Sequence, residues 1–272
     1  MAKLTDEFVP TALGRLHVLR RGSGPATILW HSLFIDSRSW LPVIDALGEL
    51  ASDRTVVAID GPSHGMSDPT TRDFTFDECA QAAADVLDGI GIGEPVDWVG
   101  NAWGGHIGIL LAATQPHRIR TLTTIGTPVP GLTMRFRVTK GWPLVALYRL
   151  AGPTQFVCSR LSDALMGQDA SEEVIDAFRQ ADRRGMYHAM RSMMLKRPSL
   201  QDRLPHIGAP TLMLAAHDDD EGWPLHEAEA ACATMHNARA DAVLGGGRVA
   251  PLLVDARMVA QTLVDFWAAP RH

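Results

Sequence analysis

Short apolar runs alternate with longer stretches in which apolar and polar positions recur at helical spacing. Residues 26–31 (ATILWH), 55–60 (TVVAID) and 95–100 (PVDWVG) read as buried strands, and 121–126 (TLTTIG), 211–216 (TLMLAA) and 240–245 (ADAVLG) continue the series. Between them, 76–90 and 103–115 carry helical periodicity, the first with Asp77 and Glu78 in its opening turn, and 256–268 reads as a closing helix. Strands that alternate with helices predict an α/β fold with a mostly parallel sheet flanked by helices. One stretch breaks the rhythm. Residues 130–205 contain helical patterns, such as 142–151 and 172–196, and no convincing strand. This predicts a helical cap over 130–205, inserted into a core made of 1–129 and 206–272. Met and aromatic side chains in the insertion suit either its own packing or an adaptable binding surface.

Composition narrows the class. The chain has 272 residues, 46% hydrophobic and 21% charged, as expected of a globular protein of one large domain or a domain with an insertion. A net charge of −6 argues against nucleic acid or an anionic membrane as partner. The first residues, MAKLTDEFVPTALG, lack the apolar stretch of a signal peptide, and no run reaches the ~18–20 apolar residues of a membrane span. Cys79, Cys158 and Cys232 are odd in number and far apart, which predicts reduced, buried thiols and a cytoplasmic protein. No dinucleotide-type glycine loop and no His/Cys cluster at ligand spacing occur, so neither cofactor nor metal is expected.

The chemistry centres on residues 98–106, WVGNAWGGH. A Gly-x-x-x-Gly frame, Gly100 to Gly104, follows an apolar strand and opens a helix. That is the setting of a nucleophile elbow, where strand and helix backbones nearly touch and the central side chain projects above the carboxyl edge of the sheet. The central residue is Ala102. Three further stretches accompany it: WHSLFIDSRSW (30–40), DGPSHGMSD (60–68) and PTLMLAAHDDDEGWP (210–224). Together with the elbow and the insertion, these resemble the α/β-hydrolase superfamily, in its capped branch of esterases, enol-lactone hydrolases and carbon–carbon hydrolases. The first stretch is similar to the family's oxyanion loop, with Ser32 in place of Gly. The second is similar to its D-x-P-G-x-G-x-S turn, with Ser63 in place of Gly.

The resemblance assigns roles by position. Ala102 stands at the nucleophile position, where a methyl group cannot form an acyl-enzyme. The acid position falls within Asp218, Asp219 and Asp220. Counting along the strand from Pro210 favours Asp219, and counting back from Pro224 favours Asp220; strand register is the less elastic guide and favours Asp219. Arg248, in VLGGGRVAPLL (243–253), matches the base, yet a guanidinium stays protonated and cannot take a proton. The backbone amides of Leu33 and Trp103 correspond to the oxyanion hole. His31, Ser32 and Asn101 are candidate substrate-binding residues, with Asp36, His64 and His106 nearby in sequence. Arg135, Arg137, Tyr148 and His188 are insertion residues of undetermined reach. Arg248 either pairs with Asp219 to make a site for an anionic or enolate-like ligand, or turns to solvent. The expected partner is a small carbonyl compound. Non-covalent catalysis as a lyase, isomerase or hydrolase leads. A ligand-binding pseudoenzyme and a serine hydrolase in inactivated form are the alternatives.

Overall fold

The structure, a computed structural model, describes residues 3–154, 157–158, 172–216, 223–243, 252–253 and 255–269. Eight strands form one sheet in the order β1-β2-β4-β3-β5-β6-β7-β8. They are β1 (Thr5–Thr11), β2 (Gly14–Arg21), β3 (Ala26–Trp30), β4 (Thr55–Ile59), β5 (Val96–Asn101), β6 (Ile119–Ile125), β7 (Thr211–Ala216) and β8 (Ala238–Val243). β1 pairs antiparallel with β2, and β2 with β4; every later pairing is parallel. The six strands expected from the pattern are present. The amino-terminal hairpin β1–β2 was not expected, because charged and polar residues interrupt both strands and neither carries a continuous apolar run.

The central strands β3, β4 and β5 are buried throughout, as a sheet covered on both faces requires. Successive side chains go to opposite layers. Ile28 and Trp30 of β3, Val57 and Ile59 of β4, and Trp98 of β5 join one core. Leu29, Val56, Ala58 and Val99 join the other. The first core is closed by α2 (Phe76–Gly89) and α3 (Trp103–Thr114), the second by α1 (Leu41–Leu50) and the last helix, α9 (Ala256–Ala268). A capping box starts α2, with Thr75 and Glu78 each binding the other's backbone amide. Asp255 caps α9 by accepting from the Met258 amide.

Between β6 and β7 the described residues contain helices and no strand. A three-residue turn, α4 (Met134–Phe136), runs through a π-helical turn (Arg137–Gly141) into α5 (Trp142–Ala151). Then come α6 (Glu172–Gln180) and α7 (Arg183–Lys196). The 172–196 pattern is therefore two helices, divided where Asp182 leaves helical geometry and caps α7. Met186, Met190 and Met193 of α7 are buried in the first core, so these methionines serve packing. The short α8 (Leu225–Cys232) lies between β7 and β8. All three cysteines are free and buried. No helix is long and apolar enough to cross a membrane, and no group of three or more metal-ligating side chains occurs among the described residues.

Candidate functional site

Strand order places the site. β3 has β4 on one side and β5 on the other, so the chain reverses its winding between β3 and β5. In open parallel sheets the crevice at the carboxyl ends of such a strand pair is where ligands bind. The loop after β3 is residues 31–36, and the turn after β5 is Asn101–Trp103.

That turn is an elbow. Ala102 has φ 45 and ψ −98, a strained backbone for a residue with a Cβ. Its amide donates to the Ile125 carbonyl at 2.8 Å, and its carbonyl accepts from Gly105 and His106 at 3.1 and 3.2 Å. The flanking glycines are forced by contact. A Cβ on Gly100 would lie 2.1 Å from the Gly104 carbonyl carbon, and one on Gly104 would lie 2.1 Å from the Trp30 carbonyl oxygen. The strand–helix crossing read from the sequence is therefore as close as expected.

Among the described residues, left-handed backbone outside glycine occurs at Phe34 (φ 76), Ser63 (φ 67) and Ala102. These residues follow β3, β4 and β5 respectively, so the strain converges on one sheet edge, as it does at functional sites. Ser63, which replaces a glycine of the resembling turn, keeps the glycine-like conformation. Phe34 carried no sequence signal of this kind.

Two neutral histidines tie the loops together. Gly61 donates to His31 Nε2 at 2.8 Å, so the proton sits on Nδ1, which donates to the Ser32 carbonyl at 2.6 Å. His64 donates from Nδ1 to the Pro62 carbonyl at 2.9 Å and accepts the Phe34 amide on Nε2 at 3.3 Å. Burial pushes the His31 pKa down and takes that of His64 to about 3, because neither ring can be charged without water. The elbow joins the same assembly: Gly104 donates to the His31 carbonyl at 3.2 Å.

Below the loops, Asp60 is buried and accepts from the Ser37 and Met66 amides at 2.7 and 3.0 Å and from His17 Nδ1 at 2.8 Å. Burial opposes ionisation of Asp60, yet these hydrogen bonds prevail and lower its pKa. Burial also opposes charging of His17, but Asp60 and Asp6 on either side raise its pKa.

The residues singled out in the sequence fall into distinct places. The amides of Leu33 and Trp103 have no hydrogen-bond partner among the described residues. The Trp103 indole turns away from the tip, edge-on to Trp30 and against His31, His64 and Phe74. Asn101 is fully buried and donates from Nδ2 to the Ile125 carbonyl at 3.1 Å. Ser32 is buried. Asp36 caps the turn at Ser37–Trp40 and is paired with Arg38. His106 lies one turn into α3 and meets the Pro128 carbonyl at 2.7 Å. Asp218, Asp219, Asp220 and Arg248 lie outside the described residues.

Of the four insertion residues, Tyr148 alone is fully buried. Its ring packs on Phe178 at 5.4 Å, and Phe178 packs edge-on against Phe34 at 5.2 Å, so α5 and α6 reach the loop after β3. The Tyr148 hydroxyl has no hydrogen-bond partner among the described residues, and burial raises its pKa. Phe34 and Phe178 were not singled out in the sequence; nothing local marks an aromatic that packs across elements. Arg135 is exposed, Arg137 half-buried, and His188 donates to Asp73 at 2.8 Å, where Arg191 and Lys196 also bind.

A cavity of 1090 Å³ lined by Arg20, Pro25, Thr55, Pro95, Arg120 and Pro210 lies at the opposite, amino edge of the sheet. It is remote from Ala102 by topology. Near it Asp97, buried, accepts from Arg54, Arg120 and Thr121, an arrangement that ties the starts of β4, β5 and β6.

A model of the alpha/beta hydrolase family matches residues 27–262. The 2-hydroxymuconate semialdehyde hydrolase of Pseudomonas sp. (strain CF600) is 31% identical over 180 residues, 65% of this chain and 57% of that protein. A dihydrolipoyllysine-residue acetyltransferase component of the acetoin cleaving system, from Cupriavidus necator, is 32% identical over 129 residues, 47% of this chain and 33% of that protein. The matched stretches thus span between a third and rather over half of the length of these relatives. Among solved structures, the enol-lactonase from Burkholderia xenovorans LB400 superposes with a TM-score of 0.85 at 19% identity, covering 97% of this chain and 100% of that one. At that identity the likeness concerns the fold.

Proposed function

Since this chain belongs to the alpha/beta hydrolase family, we propose that it binds a small carbonyl compound at the carboxyl edge of its sheet and acts on it without an acyl-enzyme. The observation that carries this reading is the elbow. Ala102 holds φ 45 and ψ −98 at its tip. A strained residue of this kind costs roughly 1–3 kcal/mol, and a methyl group gains nothing chemical from it. What the strained turn does provide is the orientation of the backbone that follows, with the Trp103 amide at the first position of α3.

In this reading the amides of Leu33 and Trp103 accept a developing oxyanion, helped by the positive end of α3. His31, Ser32 and Asn101 act as positioning residues: the first two fix the loop that carries Leu33, and Asn101 fixes the elbow to β6. Ala102 occupies the nucleophile position, Asp219 (or Asp220) the acid position, and Arg248 the base position. The guanidinium holds its proton and supplies a fixed positive charge. The reaction class is one that builds negative charge on a carbonyl oxygen, as in enolate-forming lyase or isomerase steps or direct attack by water. Residues 130–205 form the cap in this account; the ring chain Phe34–Phe178–Tyr148 supports its closing over the loop after β3. A small-molecule partner and no cofactor are part of the same reading.

The test is hydrolysis of a short-chain aryl ester by three proteins side by side: the chain itself, Ala102→Ser, and Ala102→Ser with Arg248→His. The proposal expects neither variant to gain serine-type activity, any turnover by the chain itself to persist in Ala102→Ser, and the double variant, which removes the fixed charge of Arg248, to lose part of it. Strong activity confined to the double variant would assign the scaffold to a serine hydrolase with its chemistry removed, and would overturn the proposal.

A further inference from the structure

The helical run from Met134 to Ala151 has two unlike faces. Gly141, Val145 and Tyr148 are buried, with Gly141 against Met194 and Leu195 of α7. The outer face exposes Met134 (68%), Val138 (59%), Trp142 (54%) and Leu150 (82%). Six large hydrophobic side chains are exposed among the described residues, and four of them lie here. They recur at every fourth residue from Met134 to Trp142, with Leu150 eight further on, and the π-helical turn at Arg137–Gly141 offsets the drift of that spacing, so they form one stripe. Its length is about 24 Å at the α-helical rise.

Within residues 131–151 every charged residue is basic. Arg135, Arg137, Lys140 and Arg149 lie within 131–151, a segment with no Asp or Glu. Arg183 of α7, next to Asp182, reaches the end of α5 and donates to the carbonyls of Arg149 and Leu150. The net charge that argued against an anionic membrane is an average over the whole surface. Screening confines electrostatics to about 8 Å, so the local charge governs what this face meets.

We propose that the stripe Met134, Val138, Trp142 and Leu150 docks on an anionic lipid surface, with the flanking cations facing the headgroups. Apolar residues on one side of a helix flanked by Lys and Arg are what an interfacial helix needs. A second copy of this chain fits less well. A two-fold contact sets a patch against itself, which would bring Arg135 and Arg137 of two copies together with no Asp or Glu in either 131–151 segment. Nucleic acid would match the charge but leave the apolar stripe without a partner. This inference does not depend on the chemistry proposed for Ala102.

The test is co-sedimentation of the full chain with phosphatidylcholine vesicles and with vesicles in which phosphatidylserine replaces about a third of the lipid. The chain is expected to bind the anionic vesicles about tenfold better, and to be released by raised salt. Arg135→Glu is expected to weaken binding on the order of fivefold. Val138→Ser with Trp142→Ser tests the apolar arm and is expected to abolish retention. Phe8→Ser, an exposed aromatic on β1, is expected to bind as the parent does. Circular dichroism confirms that each variant is folded. Failure to bind anionic vesicles overturns the proposal, as does equal binding to both compositions or equal loss in Phe8→Ser. Concentration-dependent dimerisation abolished by Val138→Ser with Trp142→Ser, without vesicle binding, would assign the stripe to a second copy instead.

Discussion

Gly104→Ala sets two physical effects against each other. Gly104 is the second residue of α3, and on helix propensity alone alanine would stabilise it by about 1 kcal/mol. The crossing says the opposite. A Cβ at Gly104 would lie 2.1 Å from the Trp30 carbonyl oxygen, 2.6 Å from the Trp30 carbonyl carbon and 2.9 Å from the Trp30 Cβ. The nearest of these is about 1 Å inside ordinary contact, and two belong to the backbone of a buried central strand, which cannot rotate away. Relief requires β3 and α3 to part, which also stretches the bond from the Gly104 amide to the His31 carbonyl. Overpacking of this kind costs about 3 kcal/mol or more, well above the gain in propensity. For a chain of this length each kcal/mol shifts Tm by about 2 °C, so a fall of about 6 °C is expected. Gly93→Ala is the control. A Cβ there meets no heavy atom within 4 Å, so that variant is expected to match the parent or exceed it by up to about 1 kcal/mol. Thermal melts and urea titrations of the three proteins decide the matter. A Gly104→Ala protein as stable as the parent would refute the close crossing on which the site geometry depends.

Two further outcomes follow from the loops and the insertion. His64 titrates near 3 in the folded chain against about 6.5 when unfolded, so its contribution to stability is present above pH 6.5 and is lost as the pH falls toward 3. By pH 5 the loss is about 2 kcal/mol; His64→Gln is expected to be less stable overall but to lose less between pH 7 and 5, and an unchanged slope in urea midpoints would contradict this. Asp73 holds His188, Arg191 and Lys196 of α7 at 2.8, 2.9 and 2.6 Å. Asp73→Asn is expected to cost about 1–3 kcal/mol and to speed amide hydrogen exchange in α7 while β3–β6 stay protected; uniform exchange would show that Asp73 does not anchor that helix.

The sequence made the parallel core legible because its strands are buried on both faces and read as continuous apolar runs. The elbow was legible because Gly100 and Gly104 answer to a contact between nearest elements. The hairpin β1–β2 was not, since an edge pair with one wet face mixes Asp6, Glu7 and Arg15 among its apolar positions. The split of 172–196 at Asp182 was hidden by a pattern that stays amphipathic on both sides of the cap. Phe34 lies beyond any local rule: its positive φ is held by His64, thirty residues later in the chain. The direction of Tyr148 was equally unreadable, because only the packing of α5 on α7 decides which side of the helix turns inward.

The most direct test of the proposed site is an amide NMR titration of the chain with a small carboxylate such as butyrate, whose oxygen stands in for the oxyanion. The backbone amide signals of Leu33 and Trp103 are expected to move together and saturate, with the same apparent affinity. A titration that leaves both signals in place, or moves them no more than amides on the far edge of the sheet, would contradict it.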